Sequence, residues 1–352
     1  MRRLLPLLLL LLALPVRGQE VLYLYNWNNY ISAETARRFE AACACILKQD
    51  YYSDNEEMLA KLDAGAVGYD LLVPTGNAVE TLIRRGALRP LEKSRLPHLA
   101  NETAAFLNPW YDPGNRYAVP YATTVTLLGY NVDRLKELGL PTDTWALIFE
   151  PKYLEKLKGR VTVLNSQREL MAAAMKYLGH SVQETDPARW EEAKRLILRA
   201  KPYWATFSNS TYIKDLAIGT IWVAHGYSND MWRAQQDARA AGRPFGIGFA
   251  TPKEGAVLAV DNFVLHRSGR RPDLAHRFID FMLEGENAAD VSNLIGAGNP
   301  NAAAMVHLRP EVAGNPGIFP PPAELARLEM LRDFDPTLRR TLSRMWTEIK
   351  VK

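Results

Sequence analysis

Cysteine is nearly absent: the chain of 352 residues holds only Cys43 and Cys45. Two cysteines cannot staple a small secreted scaffold, and no CxxC or HExxH spacing offers ligands to a metal. The six histidines are scattered, so neither a metal nor another cofactor has sequence support. Phosphate loops and nucleophile elbows are missing as well: there is no GxxxxGK[ST], no GxGxxG after a strand and no GxSxG. His225-Gly226-Tyr227-Ser228 sets a serine near a histidine, but adjacency in sequence is not the geometry a nucleophile needs. An excess of one charge is absent too. The 43 Lys and Arg stand against 39 Asp and Glu and are spread among them, which gives no basic face for nucleic acid.

Long apolar runs are absent with one exception, at the start. Met1-Arg2-Arg3 leads into Leu4–Leu14, broken only by Pro6 and Ala13, and then Pro15-Val16-Arg17-Gly18. A span of the bilayer takes roughly 20 apolar residues, whereas a charged start, a shorter apolar run and a small residue before the cut are the pattern of a signal peptide. Residues 1–18 are therefore expected to be removed, leaving 40 basic against 39 acidic side chains in a freely diffusing periplasmic protein. No cysteine follows the run, so no lipid anchor is expected. Cys43 and Cys45 would close a small ring if joined, and buried free thiols are the expectation.

What is present is a soluble globular composition, 47% apolar and 23% charged, in a chain long enough for two lobes. Val21–Tyr25 reads as a strand, and Ser32 can cap a helix to about Ala44. A strand near Ile46–Tyr51, a helix from Asn55 and a largely apolar strand Tyr69–Pro74 follow. Strand, helix, strand, helix, strand signals a mostly parallel sheet covered by helices. Tyr121–Asn131 reads as a further strand, and Val161–Leu164 opens a second series. That series has helices at Arg168–Leu178 and Ala188–Ala200, strands at Thr220–Ala224, Phe245–Phe249 and Val257–Leu265, and a helix after Asp230. The proline-rich run Asn315–Pro322 reads as a linker, followed by helices at about Ala323–Arg332 and Pro336–Ile349. No internal repeat interrupts this order.

Carboxylates and aromatics recur at strand ends, where open α/β sheets place their ligand crevice. Trp27 and Tyr30 follow the first strand, Glu169 opens a helix, and Trp222, Tyr227 and Asp230 lie on and after the Thr220 strand. Asp261 sits inside the apolar strand Val257–Leu265. An ionised carboxylate there costs several kcal/mol unless a Lys, an Arg, a hydrogen-bonding partner or a ligand compensates it. For Trp27, Tyr30 and Trp222 plain core packing is the alternative, and for Glu169 a solvated charge at a helix start.

Taken together, Tyr25–Tyr30, Tyr69–Pro74, Tyr130–Asp133, Tyr212–Ala217, Asp230–Trp232, Pro252–Ala256, Asn315–Ile318 and Trp346–Lys350 resemble the putrescine and spermidine binding proteins of bacterial ABC importers, the putrescine branch more closely. The resemblance covers the mature chain in order. It implies an α/β, two-lobed periplasmic binding protein of type II, with two crossover segments and a ligand cleft between the lobes. One lobe is then 19–124 plus 253–297, the other 125–252 plus 298–352, with hinges near Thr124–Leu128 and Phe249–Lys253. It also implies a monomer that binds a polyamine and delivers it to a membrane permease, without catalysis.

Carried over by position, Trp27, Asn28, Asn29 and Tyr30 match first-loop contacts, Asn77 a small polar residue after the third strand, and Glu169 a carboxylate of the second lobe. Asp230 and Asp261 match the acids that grip amino groups. Tyr227 replaces a Trp, Asn29 an acid, and Ala259 and Ala297 replace aromatics. A polyamine needs carboxylates at fixed separations and aromatic faces between them, and both are present. The lost walls suit a bulkier cation, such as an amino acid derivative or a guanidino compound. An exported amine-acting enzyme using Asp230 or Asp261 as base, and a sensory subunit, are the other classes this sequence allows.

Overall fold

The structure is a computed structural model that describes residues 19–351; the expected signal peptide lies outside them. β1 (Glu20–Trp27) alternates its side chains so that Leu22 and Leu24 enter the core, and it runs parallel to β2 (Cys45–Tyr52) and to the short β3 (Leu71–Leu72). The helix Ala33–Cys43 between β1 and β2 starts where the Ser32 hydroxyl accepts the Thr35 amide, at 3.0 Å. β4 (Leu88–Arg89) adds an edge. Then comes β5 (Ala118–Asn131), the longest strand at 14 residues and the one on which the molecule turns.

The first half of β5 pairs with antiparallel β10 (Leu258–His266), which also borders β3. Its second half pairs with β8 (Val223–Tyr227) and β9 (Ile247–Ala250), and β8 continues to β6 (Val161–Val163) and β7 (Thr206–Phe207). One strand thus belongs to two half-sheets, each with its own core. Leu22, Leu24, Phe39, Leu71, Phe263 and Phe278 fill the first; Trp145, Phe149, Trp190, Leu196, Leu216 and Met231 fill the second. The two lobes expected from the sequence are present, and the chain crosses between them along β5 and again between β9 and β10.

Past Ala297, Ala304 and Leu308 pack on Ala288 and Ala289. Gly298 lies against the crossing itself. It exchanges both backbone hydrogen bonds with Thr123, at 2.9 and 2.8 Å, and a Cβ there would meet the Thr123 hydroxyl at 2.2 Å.

Three expectations are corrected. Cys43 and Cys45 form a disulfide rather than free thiols. Ala44, in a left-handed conformation (φ 53°, ψ 39°), ends the preceding helix and turns the chain back, which brings the two Cα atoms to 5.2 Å. The Thr220 strand begins only at Val223, because the Thr220 and Ile221 amides are spent on the Asp215 carbonyl at the end of the helix Thr211–Ile218. The helix expected over Ala323–Arg332 is the single turn Pro322–Leu325. Beyond it Glu329 pairs its backbone with Ala256 and Leu258 at 3.0 Å each, and a residue held in that ladder cannot continue a helix.

Candidate functional site

The crevice residues come from the ends of strands in both lobes. On the first lobe, β1 ends at Trp27, and the turn through Asn28 and Asn29 returns Tyr30 to the core. Asn29 takes φ +62°, a conformation asparagine tolerates better than most residues. Asn28 and Asn29 are exposed at this rim. The Trp27 indole N–H donates to the Val73 carbonyl at 2.9 Å, and its ring lies 4.6 Å from Tyr52 and 6.2 Å from Tyr30. Asn77 sits half-buried in the first turn of the helix Gly76–Arg84. That turn approaches so closely that a Cβ on Gly76 would meet the Tyr111 ring at 2.5 Å.

Asp261 lies where the β5–β10 register shifts, a bulge that re-aims its side chain out of the ladder. It is 3% exposed. Tyr30 donates to one carboxylate oxygen at 2.9 Å and Thr75 to the other at 2.8 Å. Burial raises its pKa to about 6 despite both hydrogen bonds.

The second lobe contributes two more carboxylates. Glu169 follows the N-cap Ser166 in the first turn of the helix Gln167–Tyr177 and accepts the Thr126 hydroxyl at 2.7 Å. Burial raises its pKa to about 7. Asp230, in the first turn of the helix Ser228–Ala240, accepts the Tyr212 hydroxyl and is raised by burial to about 6. Tyr227, at the end of β8, has its phenol pushed well above its ordinary value, first by burial and then by the charges of Glu169 and Asp230, with Glu56 and Asp54 adding to them. Among the described residues Asp261 and Asp230 have only hydroxyls as side-chain partners. The guanidinium of Arg168, the neighbour of Glu169, is directed at Glu56 and Asp333. Among the described residues no Lys or Arg is bonded to any of these three buried carboxylates, so each carries an uncompensated charge when ionised.

Trp222 does not join this group. It precedes β8, while Tyr227 ends it, roughly 16 Å away at ~3.3 Å per residue. Its ring lies between the guanidiniums of Arg134 and Arg160, at 5.4 and 5.2 Å. Ala259 is half-buried on β10, two residues before Asp261, whereas Ala297 is wholly buried in the core cluster of Tyr30 and Tyr121. Four hydroxyl-bearing residues of the site were not among the expected ones: Tyr52, Thr75, Thr126 and Tyr212. Thr75 directly follows the Tyr69–Pro74 strand and Tyr212 opens one of the shared motifs, the only signals that could have marked them.

Two lobes on a shared strand, with buried carboxylates in each, are the arrangement of a clamp-type solute-binding protein. Comparison with known proteins agrees. The model of the family described as bacterial extracellular solute-binding protein matches residues 36–320. The chain is 56% identical over 95% of its length to a putrescine/cadaverine-binding protein of Pseudomonas aeruginosa, covering 94% of that protein. It is 36% identical over 94% of its length to the putrescine-binding periplasmic protein PotF of Escherichia coli, covering 92% of it. Among solved structures, a putative spermidine/putrescine ABC transporter from Listeria monocytogenes superposes with a TM-score of 0.84 at 26% identity, over 95% of this chain and 99% of that one. The chain belongs to the bacterial extracellular solute-binding protein family and has its two-lobed type II fold.

Proposed function

We propose that this protein is a periplasmic carrier that closes on a linear diamine or polyamine, putrescine or cadaverine foremost, and presents it to the membrane permease of an ABC importer. It binds its ligand and does not transform it. The observation that carries this reading is the set of buried carboxylates, Asp261, Asp230 and Glu169, whose hydrogen-bond partners are hydroxyls rather than basic groups. One ammonium is held at Asp261, with Trp27 and Tyr30 beside it, and the other at Asp230 and Glu169. Tyr227 supports the methylene chain between them. Asn28, Asn29 and Asn77 supply polar contacts at the rim; Trp222 is left out of the ligand set on its placement. The names of the relatives at 56% and 36% identity support the same ligand class. Among the described residues no helix is long and apolar enough to cross a membrane, which suits a carrier that hands its ligand to a separate permease.

Titration calorimetry with putrescine, cadaverine and spermidine, and with pentane-1,5-diol as a neutral control of similar shape, tests the reading. Saturable binding of a diamine and none of the diol is expected. Failure of all three amines, or equal binding of the diol, overturns it.

A further inference from the structure

The segment between the last two helices, Glu329–Phe334, is tied to the second lobe at both ends and touches the first lobe in between. At one end the Glu329 carboxylate meets Lys176 at 2.6 Å and the Val182 amide at 3.2 Å, both of the second lobe, while its backbone pairs with Ala256 and Leu258 where the chain enters β10. At the other end Phe334 packs edge-on to Trp190 at 5.6 Å. Between these anchors the Arg332 guanidinium lies 4.4 Å over the Trp110 ring of the first lobe.

Asp333 makes the closer contact. Its backbone N–H donates to Glu80 at 3.1 Å, its carboxylate accepts the Thr81 hydroxyl at 2.9 Å, and Arg84 pairs with the same oxygen. All three partners lie at or within the helix Gly76–Arg84 of the first lobe. The other carboxylate oxygen faces the second-lobe guanidiniums of Arg168 and Arg339, at 3.7 and 3.6 Å. The Asp333 side chain is 2% exposed. Arg168 reaches the first lobe as well, 3.9 Å from Glu56, and donates to the Arg332 carbonyl at 3.4 Å.

We propose that Glu329–Phe334 is a latch, with Asp333 as its bolt between Arg84 of one lobe and Arg168 of the other, which holds the lobes closed and sets how tightly the cleft retains its ligand. A strap anchored twice on one lobe moves with that lobe. Opening therefore pulls Asp333 away from Arg84, Thr81 and Glu80 and carries Arg332 off Trp110. The contact neighbours two residues of the proposed ligand set: Thr81 bonds the Asn77 carbonyl, and Arg168 precedes Glu169. None of the latch side chains belongs to the proposed ligand set, so the latch acts on the population of the closed state. Apparent affinity scales with that population.

The affinity arm of the test rests on the diamine reading; the shape arm does not. Asp333→Ala removes the bolt, and Arg84→Ala, a change at a side chain 51% exposed, removes only its first-lobe partner. Small-angle scattering without amine is expected to show a larger radius of gyration for both variants than for the wild type. Calorimetry with cadaverine is expected to show at least about tenfold weaker binding for each, and little further loss when both are combined. Equal radii for all three proteins, or unchanged cadaverine affinity in a folded Arg84→Ala protein, overturns the latch. Should cadaverine bind none of them, the ligand reading fails while the scattering comparison still decides on the latch.

Discussion

Tyr30 donates its phenolic hydrogen to the Asp261 carboxylate at 2.9 Å, across 231 positions of sequence. The bond ties the turn after β1 to the bulge in β10, and Thr75 fixes the second oxygen from the start of the next helix. Asp261 is thereby aimed without being neutralised. Asp261→Asn should weaken diamine binding by roughly 1.5–3 kcal/mol, the scale of a charge-assisted hydrogen bond, which is about a ten- to hundredfold rise in Kd. The melting temperature of the ligand-free protein should not fall, because an uncompensated buried charge is lost. Calorimetry and a thermal melt on the two proteins check this; an unchanged Kd with a lower melting temperature would return Asp261 to a purely structural part.

Acid should release the ligand. Burial holds Asp261 and Asp230 at about 6 and Glu169 at about 7, and an ammonium group binds their ionised forms. Protonation as pH falls through this range removes the charge the ligand needs. The sign for stability is opposite. Each folded pKa lies above its ordinary value of 3.8 or 4.5, so the folded, ligand-free protein binds extra protons between about pH 4 and 7 and loses that contribution as pH rises. Melts with and without cadaverine at about pH 5 and pH 8 should therefore show a larger ligand-induced shift at pH 8. Equal shifts would mean that these carboxylates do not titrate with binding.

Strand ends announce themselves in sequence and their partners do not. Trp27, Tyr30 and Asp230 stand out as aromatics or an acid at or just past a strand end, and Asp261 as an acid inside an apolar strand. Thr75 and Thr126 are ordinary hydroxyls until the fold sets them against Asp261 and Glu169, 186 and 43 positions away. Trp222 is a related case: Ile-Trp-Val reads as strand, yet the amides before it are spent on the end of a helix and the strand begins only at Val223. The disulfide depends on the left-handed backbone of Ala44, which the spacing of Cys43 and Cys45 does not encode. The missing helix after Leu325 follows from long-range backbone pairing of Glu329, again invisible to local periodicity.

The two alanines at usually aromatic positions should behave differently when replaced. Ala259 on β10 stands opposite Thr124 and is half-buried. Ala259→Phe should strengthen putrescine binding by roughly 0.5–2 kcal/mol through a new aromatic face. Ala297 is 0% exposed among Tyr30, Tyr121 and Phe263, so Ala297→Tyr should cost about 1–3 kcal/mol of stability by overpacking. Calorimetry for the first and denaturant unfolding for the second separate them. A stable Ala297→Tyr protein with tighter putrescine binding would mean that the cluster opens toward the cleft.

Trp222 and Trp27 give the sharpest contrast for the extent of the site. Trp222 is held by Arg134 and Arg160 at the far end of β8, whereas Trp27 borders Tyr30 and, through it, Asp261. Trp222→Ala should cost about 1–2 kcal/mol of stability, two cation–π contacts at a half-exposed ring, and leave the Kd for cadaverine within about twofold, well inside 1.4 kcal/mol. Trp27→Ala should weaken cadaverine binding about tenfold or more for the loss of a ring beside a bound ammonium. Tryptophan fluorescence adds an independent reading: the change on adding cadaverine should persist in Trp222→Phe and be largely lost in Trp27→Phe. Loss of the signal in Trp222→Phe with Trp27 intact would place the ligand at the opposite end of the second sheet, and the carboxylates at the cleft would no longer describe the binding site.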